Sequence, residues 1–279
     1  MKFEDMINTI QLGDCYELIR EIPDKSIDCV YVDVPYLMVS GGAGQSELAK
    51  RSTKNKMELL GVGKLYDNNK KPSENLRIAN NKKNQRSQLN NSNITSGFDY
   101  KTFIKEAFRV MKKCNIFIWC SPMQILDIMN ELHKYNKNTI VILTWNKTNP
   151  IPTTNNNWLS DIEYCLYLRE EGVPLNNGYE LKSKWYTSPI NQSDKELFKH
   201  PTIKPLELVK RHLLHTTIEG GVILDTFAGS GTTCLAAKET GRRYIGMEID
   251  PEYHKIAVDR LNGINANGQT SIFTDFENL

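Results

Sequence analysis

The sequence predicts an α/β fold, a doubly wound and mostly parallel sheet with helices on both faces. Three observations carry this. Short apolar runs alternate with segments of helical periodicity along most of the 279 residues. One run, Val222 to Leu224, ends on Asp225 and passes through Thr226-Phe227-Ala228-Gly229-Ser230-Gly231 into a segment opening with Thr232 and Thr233. That order reads as strand, Gly-rich turn and helix. A second run, Ser26 to Val32, is nearly continuous in apolar character, as in a central parallel strand buried on both faces. It leads directly into Asp33-Val34-Pro35-Tyr36.

Taken in order, Thr9 to Leu12 is predicted as a short strand ending at Gly13-Asp14. Cys15 to Glu21 is predicted as a helix, stopped by Pro23. After the strand at 26–32, periodicity is lost from about Ser40 to Thr95, a stretch rich in Asn, Lys, Ser and Gly. So long a structureless connection points to disorder or to a functional insertion rather than a plain loop. Periodicity returns at Tyr100 to Met111, where Phe103, Ala107, Phe108 and Met111 share a helical face. Asn115 to Trp119 reads as a strand, Pro122 to Tyr135 as a helix, and Thr139 to Trp145 as a strand. Asn146 to Trp158 is polar and bears proline, so a loop. Ile162 to Leu168 is a further strand, antiparallel to its neighbour. Glu170 to Lys199 is irregular, with Trp185 and Tyr186 standing out. Lys204 to His215 is helical, with Leu206, Val209 and Leu213 on one face. Arg243 to Glu248 is a strand, and Pro251 to Leu261 a helix with proline in its first turn.

Composition narrows the class. With 39% hydrophobic residues the chain can bury a substantial core. It has no apolar run long enough for a membrane span and no N-terminal signal pattern, so a cytoplasmic protein without a membrane partner is expected. Cys15, Cys29, Cys114, Cys120, Cys165 and Cys234 are scattered, with no CxxC pair. Buried reduced thiols are expected, not zinc or disulfides. Net charge is +2, but residues 47–86 hold 11 Lys/Arg against 4 Asp/Glu. That stretch is either a solvated surface loop or a basic arm that orders on nucleic acid.

The turn at 225–233 lacks the lysine of a phosphate-cradling loop and also lacks a full GxGxxG. Its glycines let a ligand approach the backbone closely. One strand later comes Gly246-Met247-Glu248-Ile249-Asp250, with an acid where a ribose can be held. The combination suits a Rossmann-like site for a nucleoside cofactor without a pyrophosphate.

On these residues the chain resembles the S-adenosylmethionine-dependent amino-methyltransferases of DNA bases, over most of its length outside roughly residues 40–95. The family's cofactor motif is met by Asp225, Phe227, Gly229, Ser230, Gly231, Thr232 and Thr233. Its catalytic motif is met by Asp33, Pro35 and Tyr36, with Val34 departing from the usual proline. His200-Pro201-Thr202-Ile203-Lys204-Pro205 is similar to the family's lead-in to the cofactor motif. Catalytic motif first and cofactor motif last resembles the circularly permuted β group.

The resemblance implies a cofactor pocket formed by Asp14, Cys15, Lys204, Asp225, Phe227, Ala228, Gly229, Ser230, Gly231, Thr232, Thr233, Glu248 and Ile249. It implies a target-base site at Asp33, Val34, Pro35 and Tyr36. The Asp33 carboxylate and a backbone carbonyl would accept the amine's two N–H bonds and aim its lone pair. Tyr36 would stack on a base flipped out of double-stranded DNA. Residues 1–39 and 96–169 then form the catalytic half of one domain and 200–279 the cofactor half. Residues 40–95 are a polar insertion, mobile or touching DNA, and 170–199 a candidate target-recognition segment. Asp rather than Ser at 33 leans toward adenine N6, with cytosine N4, RNA, or an impaired DNA-binding homologue as alternatives. No metal is implied. His212 and His215 lack the acids or thiols of a metal site. A homodimer is compatible with the group and not written in the sequence.

Overall fold

A computed structural model describes residues 2–36, 98–136, 138–150, 158–176, 178–190, 198 and 203–265. The chain divides into two compact units. One comprises Met1–Tyr36, Tyr100–Pro152 and Trp158–Leu279, and is described here. The other comprises Leu37–Asp99 and Thr153–Asn157, almost wholly outside the described residues. The expected insertion at 40–95 and its basic stretch therefore lie outside them too.

The first unit is an eight-stranded sheet. Its strands are β1 (Thr9–Leu12), β2 (Cys29–Asp33), β3 (Asn115–Cys120), β4 (Val141–Lys147), β5 (Ile162–Arg169), β6 (Trp185–Ser188), β7 (Val222–Asp225) and β8 (Arg243–Glu248). They lie in the order β1-β8-β7-β2-β3-β5-β4-β6. All neighbours pair in parallel except β5, which is antiparallel to both β3 and β4. Among the described residues the helices include α1 (Phe3–Met6), α2 (Cys15–Leu18), α3 (Tyr100–Val110), α4 (Ile125–Tyr135), α5 (Leu206–Thr216), α6 (Thr232–Glu239) and α7 (Pro251–Leu261). α3 packs on α4, and α6 packs on both α5 and α7.

Local chemistry explains the central elements. Every residue of β3 and β7 is buried, as apolar strands inside a doubly wound sheet must be. Asp250 caps α7, its carboxylate accepting from the amides of Glu252 and Tyr253. Asp14 caps α2 by accepting from Tyr16 N at 2.7 Å. Gly246 lets β1 and α6 close on β8, because a Cβ there would lie 2.8 Å from Ile10 Cγ1 and 2.9 Å from Cys234 Sγ. All six cysteines are buried and free, as expected of reduced thiols. No helix among the described residues is long and apolar enough to cross a membrane.

Several boundaries move. The helix predicted from Pro122 begins at Ile125, after a turn. β4 runs on through Asn146 and Lys147, which the sequence assigns to a loop. Pairing with β5 extends it, since Asn146 lies opposite Ile162. The predicted irregular stretch 170–199 contains β6, which is four residues long and too short to display a period. It exists by pairing in parallel with the edge of β4. Cys15 to Glu21 divides into α2 and a 3₁₀ turn over Ile19–Glu21.

Candidate functional site

The N-terminal strand β1 lies at one edge of the sheet and pairs with β8, placing Leu12 beside Glu248. At the centre, β7 pairs with β2, Ile223 opposite Cys29 and Leu224 opposite Val30. The strand that ends in Asp225 and the strand that ends in Asp33 are thus neighbours, though 192 positions separate these acids in sequence. From this pair the connections wind outward in opposite directions, β7 toward β8 and β2 toward β3. A sheet opens a crevice at such a switch point, at the carboxyl ends of its strands. A cleft of about 420 Å³ lies there, lined by the residues of both strand ends.

On the cofactor side, Asp225 Oδ1 accepts from Phe227 N at 3.0 Å. The turn then passes through Gly229 and Gly231, at φ 52° and 74°. Those left-handed values suit glycine. Gly231 also has no room to give, since a Cβ would lie 3.1 Å from Ala257 Cβ. Glu248 closes the turn from the neighbouring strand, Oε2 accepting from Gly229 N at 2.8 Å and Oε1 from Asp250 N at 2.9 Å. Behind the turn, the buried Arg260 donates to Thr232 Oγ1 at 2.7 Å and Ser230 O at 3.2 Å. Burial pushes the Asp225 carboxyl up to about 7, and the carboxylates of Asp33 and Glu248 add to the rise.

On the other side, Val34 N donates to Trp119 O at 3.1 Å, and Pro35 O accepts from Gln124 Nε2 at 3.0 Å. Gln124 is itself fixed, its Oε1 accepting from Ser121 Oγ at 2.8 Å. Val34 N and Pro35 O, on either side of the Val34–Pro35 peptide, are thus both anchored. Tyr36 lines the cleft and is 39% exposed.

Asp33 Oδ2 accepts from Lys204 Nζ at 2.6 Å. Lys204 also reaches Glu163 Oε2 at 2.8 Å and the Tyr36 hydroxyl at 3.3 Å. Glu163 Oε1 in turn pairs with Lys147 Nζ at 2.8 Å. Asp33 Oδ1 is buried and has no hydrogen-bond partner among the described residues. Burial raises the Asp33 carboxyl, Lys204 works against that, and Glu163 adds to it; the net direction is up. Burial also disfavours charge on Glu163, but Lys204 and Lys147 outweigh it and hold its carboxyl down at about 2.

Below the site, Trp119 Nε1 donates to the Tyr31 hydroxyl at 2.9 Å, which lies 3.1 Å from His212 Nδ1. Burial presses His212 down to about 3, so its ring is neutral and belongs to the core. No cluster of ligating side chains for a metal exists among the described residues.

The cleft thus brings together Asp33, Val34, Pro35, Tyr36, Lys204, Asp225, Phe227, Ala228, Gly229, Ser230, Thr232, Thr233, Glu248 and Ile249 of the nominated residues. Asp14, Cys15 and Gly231 do not line it. Asp14 is the cap of α2, Cys15 is buried behind it, and Gly231 is the N-cap of α6. Lys204 lines the cleft with the turn, and its Nζ bonds Asp33. Glu163 and Gln124 were missed. In sequence Glu163 is one polar position near the start of a mostly apolar strand, and Gln124 one polar residue before a helix.

The donor set fits S-adenosylmethionine. Of the acids lining the cleft, Asp33 and Glu163 are balanced by Lys204 and Lys147, which leaves Asp225 and Glu248 facing it without a cation among the lining residues beside them. That favours a cationic ligand over one bearing phosphates. Thr226 Oγ1 is also buried without a hydrogen-bond partner among the described residues.

Residues 27–259 match the model of a family described as DNA methylase. The Type II methyltransferase M2.LlaDCHI of Lactococcus lactis subsp. cremoris is 28% identical over 265 residues, covering 90% of this chain and 87% of that protein. The Type II methyltransferase M2.DpnII of Streptococcus pneumoniae is 28% identical over 268 residues, covering 91% of this chain and 89% of that protein. Among solved structures, the M1.HpyAVI–SAM complex superposes with a TM-score of 0.58 at 20% identity, covering 90% of this chain and 98% of that one. The cytosine-N4-specific PvuII DNA methyltransferase superposes with a TM-score of 0.59 at 13% identity, covering 90% of this chain and 85% of that one. At such identities these two structures speak for the fold.

Proposed function

The chain belongs to the DNA methylase family and is an S-adenosylmethionine-dependent DNA methyltransferase; from that premise we propose that its acceptor is the exocyclic N6 amine of an adenine flipped out of the duplex. The observation that carries this reading is the Asp33 carboxylate, which lines the cleft at the end of β2 with its side chain about a third exposed and Oδ2 tied to Lys204.

The cofactor, when bound, supplies an activated methyl group on a sulfonium centre. The protein's residues supply position and field. The amine is a weak nucleophile because its lone pair is delocalised into the ring. The Asp33 carboxylate accepts one of its N–H bonds, and the Val34 carbonyl is the candidate acceptor for the other. Together they favour a pyramidal nitrogen with its lone pair directed outward. As the nitrogen becomes bonded to the methyl carbon, positive charge develops on it beside the Asp33 carboxylate. The carbon–sulfur bond breaks as the nitrogen–carbon bond forms, its electron pair staying on the sulfur, and one N–H proton passes to solvent, restoring a neutral amine. Tyr36 offers its ring as the stacking face for the base, which a duplex would otherwise hold out of reach. Asp225, Glu248 and the turn 227–233 are assigned to the cofactor. The insertion at 40–95 and the segment 170–199 are assigned to DNA contact and target choice.

Methyl transfer to mixed-sequence DNA, with the modified nucleoside identified by mass spectrometry, tests this. N6-methyladenine is expected, and Asp33→Ala should lower the rate on the order of 10²–10⁴-fold. Full activity in Asp33→Ala would sink the assignment. Recovery of N4-methylcytosine would move the acceptor while keeping the site; the acid at 33 is what favours adenine.

A further inference from the structure

That reading gives Glu163 no role and Lys204 only its bond to Asp33 Oδ2, yet both belong to a connected group of charges in the site. The Lys204 ammonium has three donors. Three acceptors meet them: Asp33 Oδ2 at 2.6 Å, Glu163 Oε2 at 2.8 Å and the Tyr36 hydroxyl at 3.3 Å. Lys204 is only 9% exposed, and Lys147 completes the group on the far oxygen of Glu163 at 2.8 Å. Two acids and two amines form a neutral quartet. The Tyr36 hydroxyl bridges it again, 3.4 Å from Glu163 Oε2.

We propose that Lys204 and Glu163 are positioning residues for Asp33: Lys204, by holding Oδ2, fixes the carboxylate for the acceptor amine, and Glu163, by sharing the Lys204 charge, sets how firmly Asp33 is held ionised. This rests on Asp33 as the group that accepts the amine's N–H. An acid in a buried site tends to take up a proton, and a protonated Asp33 could not serve as that acceptor with both oxygens. A neighbouring ammonium opposes protonation, and a second carboxylate on the same ammonium weakens its opposition. The two residues therefore act on Asp33 with opposite signs.

The other titratable groups facing Asp33 do not confuse this. Burial pushes Tyr31, Tyr36 and Cys165 well above neutrality and Cys120 up to about 12, so all stay uncharged. Asp225 on β7 is shared by every protein compared, so its effect drops out of the differences. Lys147 reaches Asp33 only through Glu163.

The test is the titration midpoint of Asp33 in cofactor-free protein, followed by ¹³C NMR of labelled aspartate carboxyls. The Asp33 signal is assigned by its loss in Asp33→Asn. Lys204→Met should raise the midpoint by about one pH unit or more. Glu163→Gln should lower it, and Lys204→Arg, which keeps the charge, should leave it near the wild-type value. The acid limb of kcat/KM should move in the same directions, while cofactor affinity stays within about twofold. Midpoints that stay put in both charge-removing variants, or that move the same way, overturn the proposal. So does a tenfold loss of cofactor affinity in Lys204→Met with the Asp33 midpoint unmoved. If Lys204→Met does not fold, Glu163→Gln alone decides, a fall in the midpoint supporting the coupling and no change overturning it. Failure of the functional reading is separate: the wild-type protein would not methylate DNA, and the titration would still be read.

Discussion

Asp225→Asn removes an ionisation that the fold opposes. Asp225 is 4% exposed, and burial moves its carboxyl from 3.8 to about 7. The unfolded chain gives up this proton near pH 4, whereas the folded protein keeps it until near neutrality. A folded value above the unfolded one contributes stability that is fully present below about pH 4. It is lost as pH rises through about 7. A rise of this size corresponds to roughly 4 kcal/mol once both states are ionised. Asparagine has the same shape, and its oxygen can still accept from Phe227 N, so the variant keeps the turn and loses only the titration. Between about pH 5 and pH 8 the variant should therefore gain roughly 2.5 kcal/mol on the wild type. For a chain of this size that is about 5–10 °C in Tm. Differential scanning calorimetry of the cofactor-free proteins across that range measures it directly. A Tm difference that is flat with pH, or that shifts in favour of the wild type as pH rises, would refute the reasoning.

Three further outcomes are expected. Glu248→Gln places an amide NH₂ against the N–H of Gly229 or Asp250, so cofactor affinity should fall on the order of 10–100-fold by isothermal titration calorimetry; a Kd within twofold of wild type would remove Glu248 from the pocket. Gly246→Ala drives a methyl group into Ile10 and Cys234 and should destabilise the fold by about 1–3 kcal/mol in urea titrations, whereas an unchanged midpoint would mean that β1 and α6 yield freely. A chain lacking residues 47–86 should bind DNA more weakly and with a shallower salt dependence; identical salt slopes would show that the basic stretch does not touch the duplex.

Part of the site was legible because its chemistry is local. Asp33 and Asp225 are each the last residue of an apolar strand, followed at once by Val34-Pro35-Tyr36 or by glycines. Glu248 closes a strand in the same way. In a parallel sheet all such ends lie on one edge, so residues that end strands must converge there. The sequence thus determined the fold class, the acids at the cleft and the turn that lies between them.

The partners of those acids were decided only by the tertiary structure. Glu163 is the second residue of β5, the one strand that runs against its neighbours. An antiparallel strand brings its beginning to the edge where parallel strands bring their ends. No local period reveals that reversal. Gln124 reaches the Pro35 carbonyl from another element, and β6 exists only because β4 offers it an edge. Lys204 was visible as a motif residue, but its partner was not. A lysine's long stem can carry its charge to either side of a cleft, and here the two carboxylates, at 2.6 and 2.8 Å, hold it against Asp33 and Glu163.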